Sequence, residues 1–392
     1  MNDGKLVPFD RSRRRLNPAG MAEFAATARR LIREREVSED VVTRALRETP
    51  REQWGRLAER KELRTSGALE RFGKEVEKRL DTDPREALAL AELTTRIAAS
   101  LAPDSYPAVT LAQLRADAWR DRGQALSYLG RYDEALRALD RAEEQLNAFG
   151  TLAHDQAIVR FVRGVVLQHV RRFDEAHTIL EECRAVFRAH LDQPLYAKCT
   201  LATGNLLVRK GDYRGAREML TRLLDTGDSN EAMIRCTLGW CAIHLGEHTE
   251  ALTHFAEVRR CTADAPLHVA RAAYGSGSAL LRLGMLDAAI EKLLSARKTF
   301  LDHNLVEEAG LSGLEIVEAR LLQSDFTAAQ SLSAVIANEF ASAKLNRRAV
   351  TALAYLSDAV GTTRATPETA RNVHTYITAL RTDPTCEFTA IN

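Results

Sequence analysis

Residues 123–142 read GQALSYLGRYDEALRALDRA, and pieces of this stretch return down the chain. GNLLVRKGDYRGAREMLTRL begins at 204, GWCAIHLGEHTEALTHFAEV at 239 and GSALLRLGMLDAAIEKLLSA at 277. In each, a glycine is followed seven residues later by a second glycine and five residues after that by alanine. The anchors are Gly123, Gly164, Gly204, Gly239 and Gly277, with Val317 in a sixth, degraded copy, at intervals of 41, 40, 35, 38 and 40 residues. A period in this range marks stacked supersecondary units. Gly130, Gly211, Gly246 and Gly284 suit the left-handed backbone that ends a helix, and Arg171 takes that place in the second copy. Tyr132, Phe173, Tyr213, His248, Leu286 or Phe326 follows, and three residues on stands Ala135, Ala176, Ala216, Ala251, Ala289 or Ala329. Helix axes pack about 8–10 Å apart, and small residues at the anchor and the alanine bring two antiparallel helices to the near end of that range. Each unit is therefore expected to be a helix, a tight turn and a second helix.

Bulk composition agrees with a folded helical chain. Among 392 residues, 45% are apolar and 28% charged, and glycine and proline are sparse and sit mostly at boundaries. The net charge of +1 gives no overall field toward nucleic acid or anionic lipid. No uninterrupted apolar run of about 18 residues marks a membrane span, and the N-terminal basic residues are not followed by the apolar core of a secretory signal. Cys183, Cys199, Cys236, Cys241, Cys261 and Cys386 lack CxxC spacing, so they are expected to be reduced, mostly buried thiols of a cytoplasmic protein.

The recurrent positions resemble the tetratricopeptide repeat. Its pattern of Trp, Gly, Tyr, Gly, Tyr, Ala, Phe and Ala is met by Trp119, Gly123, Gly130, Tyr132, Ala135 and Ala142, with Leu126 and Leu139 in place of two aromatics. The resemblance is strong over 110–300 and weaker to 345. The typical period of that family is 34 residues, whereas most intervals here are close to 40. Bacterial sensor and regulator proteins with elongated repeats are similar in this respect. The implied fold is all-α, a right-handed solenoid of about six or seven antiparallel helical hairpins.

The flanks extend the helical reading. Thr49-Pro50-Arg51-Glu52 and Asp83-Pro84-Arg85-Glu86 each supply a cap residue, a proline at the first helical position and a glutamate at the third. Residues 1–17 are read as a disordered basic tail, and 18–65 as an N-terminal cap of two or three amphipathic helices. Residues 66–345 are the repeats, opening with a divergent hairpin over 66–101 that has Ala87 in the alanine slot. Residues 346–392 are C-terminal capping helices, the last starting at Thr366-Pro367, followed by DPTCEFTAIN as a loose tail.

Catalytic signatures are absent: the sequence holds no GxSxG, HExxH, Walker-type or dinucleotide glycine loop. Paired acids such as Asp133-Glu134 and Asp174-Glu175 open second helices, where they favour the helix dipole. Cys236, Cys241, His244, His248, His254 and Cys261 cluster in one copy, but Cys241 flanks a packing glycine and His248 fills an aromatic slot. Packing explains them better than a metal does, and no cofactor or metal is expected. Arg11, Arg13, Arg14 and Arg15 form the one basic run, without the aromatics or recognition helix of a nucleic-acid site.

What the resemblance implies about binding is more specific. In such repeats the first helix of each hairpin lines a concave groove, with positions one and five after the anchor, and three and six before it, pointing inward. These map to Arg120, Gln124 and Tyr128, then Lys198, Asn205 and Arg209, then Trp240 and His244, then Arg271, Tyr274, Ser278 and Arg282, with Gln168 and His169 nearby. Arg120, Lys198, Arg209, Arg271 and Arg282 are cationic in a near-neutral chain, so the expected ligand is an acidic or C-terminal-carboxylate segment of a protein or peptide. The expected function is a non-enzymatic scaffold or adaptor. The alternative is a peptide-responsive cytoplasmic sensor-regulator whose N-terminal helices contact a transcription or signalling component. Neither a membrane nor nucleic acid is an expected partner, and self-association stays open.

Overall fold

A computed structural model describes residues 18–80, 82–226, 231–261, 265–380, 383 and 385–390, with side chains from 25 onward. The basic run at 11–15 lies outside them. The described residues form helices and no strand, in two compact units, Met1–Val166 and Leu167–Asn392.

The first unit begins with α1 (Pro18–Glu48), two 3-10 segments (Arg51–Glu59 and Lys61–Leu63), α2 (Ser66–Arg79) and α3 (Pro84–Ser100). It continues with α4 (Ala108–Tyr128), α5 (Tyr132–Leu146) and most of α6 (Ala153–His169). Asp83 caps α3 as the sequence predicts, accepting from the Glu86 N–H at 2.9 Å, and Ala87 is fully buried in the α2–α3 hairpin. The region before it holds three helical segments, within the two or three expected, but differs in their type and in the place of Pro50. Residues 18–64 hold one long α-helix followed by 3-10 turns, and Pro50 sits at a cap whose side chains make no hydrogen bond. Trp54 and Leu57, three residues apart, both enter the core, and a three-residue turn is the one that aligns such a pair. The Trp54 indole N–H donates to the Thr49 carbonyl at 3.0 Å. α1 is strapped to the start of α2 by Glu34, which accepts from the Tyr106 hydroxyl at 2.7 Å and the Ser66 hydroxyl at 2.5 Å.

The second unit holds α7 (Phe173–Ala189), α8 (Gln193–Lys210), α9 (Tyr213–Leu224), α10 (Glu231–His244) and α11 (His248–Cys261). It continues through α12 (Pro266–Arg282), α13 (Leu286–Asp302), α14 (Val306–Leu322), α15 (Phe326–Ser342), α16 (Arg347–Gly361) and α17 (Pro367–Leu380). Second helices start at Tyr132, Phe173, Tyr213, His248, Leu286 and Phe326, the positions the repeat predicts. The turns before them close by one pattern. Gly130, Gly211, Gly246 and Gly284 have φ of 71–81°, and the next N–H reaches back to the carbonyl five residues earlier, as from Glu247 to Ala242 at 2.8 Å. Arg171 and Ser324 take the same left-handed backbone at φ 60° without being glycine. Hairpin closure therefore outweighs the roughly 1–2 kcal/mol that a Cβ costs there.

Within each hairpin the small residues do what their spacing predicts. Ala135, Ala176, Ala216, Ala251, Ala289 and Ala329 are all fully buried. A Cβ placed on Gly123 would stand 2.9 Å from Leu139, on Gly204 2.7 Å from Leu220, and on Gly277 2.5 Å from Leu293. Each anchor thus faces the residue sixteen positions on. The sixth copy exchanges the sizes: Val317 replaces the glycine and Ser333 the large partner, both fully buried. The volume of the pair is roughly kept, so the crossing survives a degraded motif.

The end of the second unit departs from expectation. α16 packs on α15 as a further first helix would, but α17 packs mainly on α14 and less on α16. It lies over the first-helix side of the array instead of continuing the stack. The segment after it is not loose: Phe388 packs against Tyr355 and Tyr376 with ring centroids 5.4 and 5.0 Å apart. The Cys386 carbonyl accepts from Arg348 at 3.0 Å and from the Tyr376 hydroxyl at 3.1 Å. An aromatic ring in a polar decapeptide is enough to anchor it.

Candidate peptide-binding face

In the first unit, Arg120 is held by carboxylates of its own helix, at 2.6 Å from Asp117 and 2.7 Å from Asp121. Gln124 is half-buried beside it, and Tyr128 is exposed at the end of α4. An arginine already bonded to two acids has little left for a ligand, which removes Arg120 from the expected set.

In the second unit, many inward positions spend their hydrogen bonds on the next first helix. The Thr237 hydroxyl on α10 donates to the Asn205 side-chain oxygen on α8 at 3.0 Å. Trp240 on α10 packs on Tyr274 of α12 with centroids 5.4 Å apart, and edge-on to Phe255 at 5.9 Å. The Ser278 hydroxyl donates to Glu315 of α14 at 2.5 Å, and Arg282 pairs with Glu318 at 2.7 Å. Gln168 is buried and donates to the Ala202 carbonyl at 3.2 Å. His244 stacks on Tyr213, the first residue of α9, at 4.3 Å and 5° between planes. Burial lowers its pKa, so the ring is neutral near pH 7.

Of the expected residues in this unit, Lys198, Asn205 and Arg209 on α8, His244 on α10 and Arg271 and Arg282 on α12 are exposed; Lys198, Arg209 and Arg271 are the cations among them away from the Glu318 pairing. His169 feels the same charge: burial first, and the Arg209 guanidinium second, lower its pKa to about 4. Ser278 is buried and Tyr274 half-buried, while Arg282 stays exposed beside Glu318. α17 reaches this part of the face: its His374 meets the Tyr274 hydroxyl at 2.9 Å and its Arg371 reaches Glu318 at 2.6 Å. Sequence reasoning missed Glu315, Glu318, Arg371 and His374. Glu318 carried a usable signal, since it stands one position after the sixth anchor, where Gln124, Asn205, Trp240 and Ser278 stand in other copies. Among the described residues, no three His, Cys, Asp or Glu side chains gather as a metal site.

Models of the tetratricopeptide repeat match residues 114–189 and 201–266. These two stretches are tetratricopeptide repeats. The fold of the chain, an all-α solenoid of helical hairpins, is similar to that of a signal transduction ATPase with numerous domains and a tetratricopeptide repeat sensor from Pyrococcus horikoshii. The TM-score is 0.58 at 13% identity, over 89% of this chain and 52% of that one, so this chain spans about half its length. The apo quorum sensor NprR from B. thuringiensis is also similar, with a TM-score of 0.52 at 12% identity, over 92% of this chain and 99% of that one. Comparison with curated protein sequences gives no match. Among the described residues of this chain, no helix is long and apolar enough to cross a membrane.

Proposed function

We propose that this chain is a non-catalytic adaptor that holds an acidic protein or peptide segment on the first-helix face of its second unit. The observation that supports this is the exposed set Lys198, Arg209 and Arg271, beside a His169 that the local positive charge helps keep neutral. Guanidinium groups bind carboxylates in two-pronged, charge-assisted pairs, so such a surface favours aspartate, glutamate or a chain terminus. The six free thiols fit the cytoplasmic placement that belongs to this reading. The test is affinity capture from the native host with the wild-type chain and with Arg209→Glu plus Arg271→Glu. The double variant is expected to lose its partner with helix content unchanged; equal recovery by both chains refutes the assignment.

A second reading, a sensor-regulator, is favoured by the fold it shares with a sensor-bearing ATPase and a quorum sensor. A peptide that binds one arrangement of the hairpins better than another shifts their populations. The N-terminal helices then pass the change to a transcription or signalling component. Peptide-dependent change in amide exchange across α1 distinguishes this reading from a static adaptor.

A further inference from the structure

The placement of α17 has a chemistry of its own. Its buried residues Ala370, Val373, Ile377 and Leu380 form one stripe at the spacing of a helix laid in a groove. Thr366 and Thr369 bond each other's backbone N–H groups at 3.4 and 3.1 Å and start the helix at a defined point. Along one edge, Arg371 donates from two nitrogens to Glu318 at 3.0 and 2.6 Å, and His374 stands 2.9 Å from the Tyr274 hydroxyl and 3.8 Å from Glu315. Both carboxylates are buried, Glu315 with 5% exposure and Glu318 with 2%. Past the helix, the segment folds back on α16 and α17, where the Thr389 carbonyl accepts from the Asn372 side chain at 2.8 Å and Phe388 packs on Tyr355 and Tyr376.

We propose that the α12–α14 surface beneath α17 is an acceptor for an amphipathic helix carrying a cation on its edge, and that α17 fills it in cis. The cation requirement follows from the acids. With α17 lifted, Glu315 and Glu318 keep Arg282 as their facing guanidinium, and a buried carboxylate without full compensation is strongly unfavourable. The occupant is tethered by the short 362–366 connection to α16, which gives it an effective concentration of about millimolar. A partner helix at micromolar concentration therefore gains the surface only when the clasp is loosened. Arg271 shares α12 with this surface, whereas Lys198 and Arg209 stand on α8; the variants that test the proposal, at Arg371, His374 and Glu318, differ from those that test the acidic-peptide reading, so the two fail separately.

The experiment uses the full chain and a fluorescent synthetic peptide of residues 364–390, read by anisotropy. Arg371→Glu with His374→Ala in the chain is expected to release α17 and to bind the peptide at least tenfold tighter than wild type does. Amide exchange in the variant should accelerate through α17 while α12 and α14 keep their protection. Equal peptide binding by the two chains overturns the proposal, and so does release of α17 without binding. Glu318→Gln, which preserves the shape of α14, is the second variant. It should speed α17 exchange at least tenfold yet bind the peptide poorly, because the acceptor itself is altered. Unchanged α17 exchange in both variants, or unfolding of the second unit when the clasp is broken, also overturns it.

Discussion

Gly275→Ala tests the packing logic at its tightest point. The fully buried Phe255 ring lies between two glycines, Gly239 on α10 and Gly275 on α12. A Cβ on Gly275 would stand 2.2 Å from the ring Cζ, and one on Gly239 2.5 Å from it, where ordinary contacts begin at 3.4 Å. The ring needs to retreat by more than about 1 Å from α12, but α10 is already against its other side. The helices must part instead. Overpacking costs about 1–3 kcal/mol in general and, with both sides of the ring blocked, about 2–3 kcal/mol here, while alanine regains about 1 kcal/mol of helix propensity over glycine. The expected net loss is about 1–2 kcal/mol. In a unit of this size that lowers the melting temperature by about 2–8 °C. Thermal unfolding followed by circular dichroism measures it. The contacting atoms are Cζ, Cε1 and Cε2, which leucine lacks. Adding Phe255→Leu should therefore recover at least about 1 kcal/mol of coupling in a double-mutant cycle. A Gly275→Ala chain as stable as wild type, or a cycle with no coupling, refutes the reasoning.

Two further outcomes follow from the same array. Val317→Gly leaves a void and Ser333→Leu overfills the sixth crossing, so each is expected to cost about 2 kcal/mol. The double change should recover more than half of the summed loss in denaturant titrations, and simple additivity would show that the two residues do not share one space. The second outcome concerns pH. Burial pushes the Glu315 carboxyl up from 4.5 to about 7, while hydrogen bonding from Ser278 and the Arg282 charge work against the rise. Because the folded value is raised, the stability this group adds is complete below about pH 4.5 and is lost as pH rises through about 7. The ceiling is about 3 kcal/mol. Wild type is expected to lose stability relative to Glu315→Gln between pH 5 and 8, and a pH-independent difference in denaturation midpoints would falsify the assignment.

The face proved less legible than the hairpins, and particular residues show why. Ser278 and Arg282 were expected to meet a ligand, yet they meet Glu315 and Glu318. Residue type marks a group as able to bind, but not whether a neighbouring helix has already satisfied it. The α17 side of these contacts carried no sequence signal: Tyr274 and Glu318 hold repeat positions, but His374 and Arg371 belong to no motif, and Tyr274 and His374 are a hundred residues apart. Phe388 looked like part of a polar tail because the rings that receive it, Tyr355 and Tyr376, lie on separate helices.

By itself the sequence determined the helical hairpins, their turns and their close crossings. These depend on residues about seven to sixteen positions apart, where backbone geometry converts spacing directly into contact. Only the tertiary structure decided which inward groups stay open and that α17 closes part of the face. Those outcomes rest on charge pairing and burial between distant helices, and their energies depend on position and solvent exclusion that no local pattern encodes.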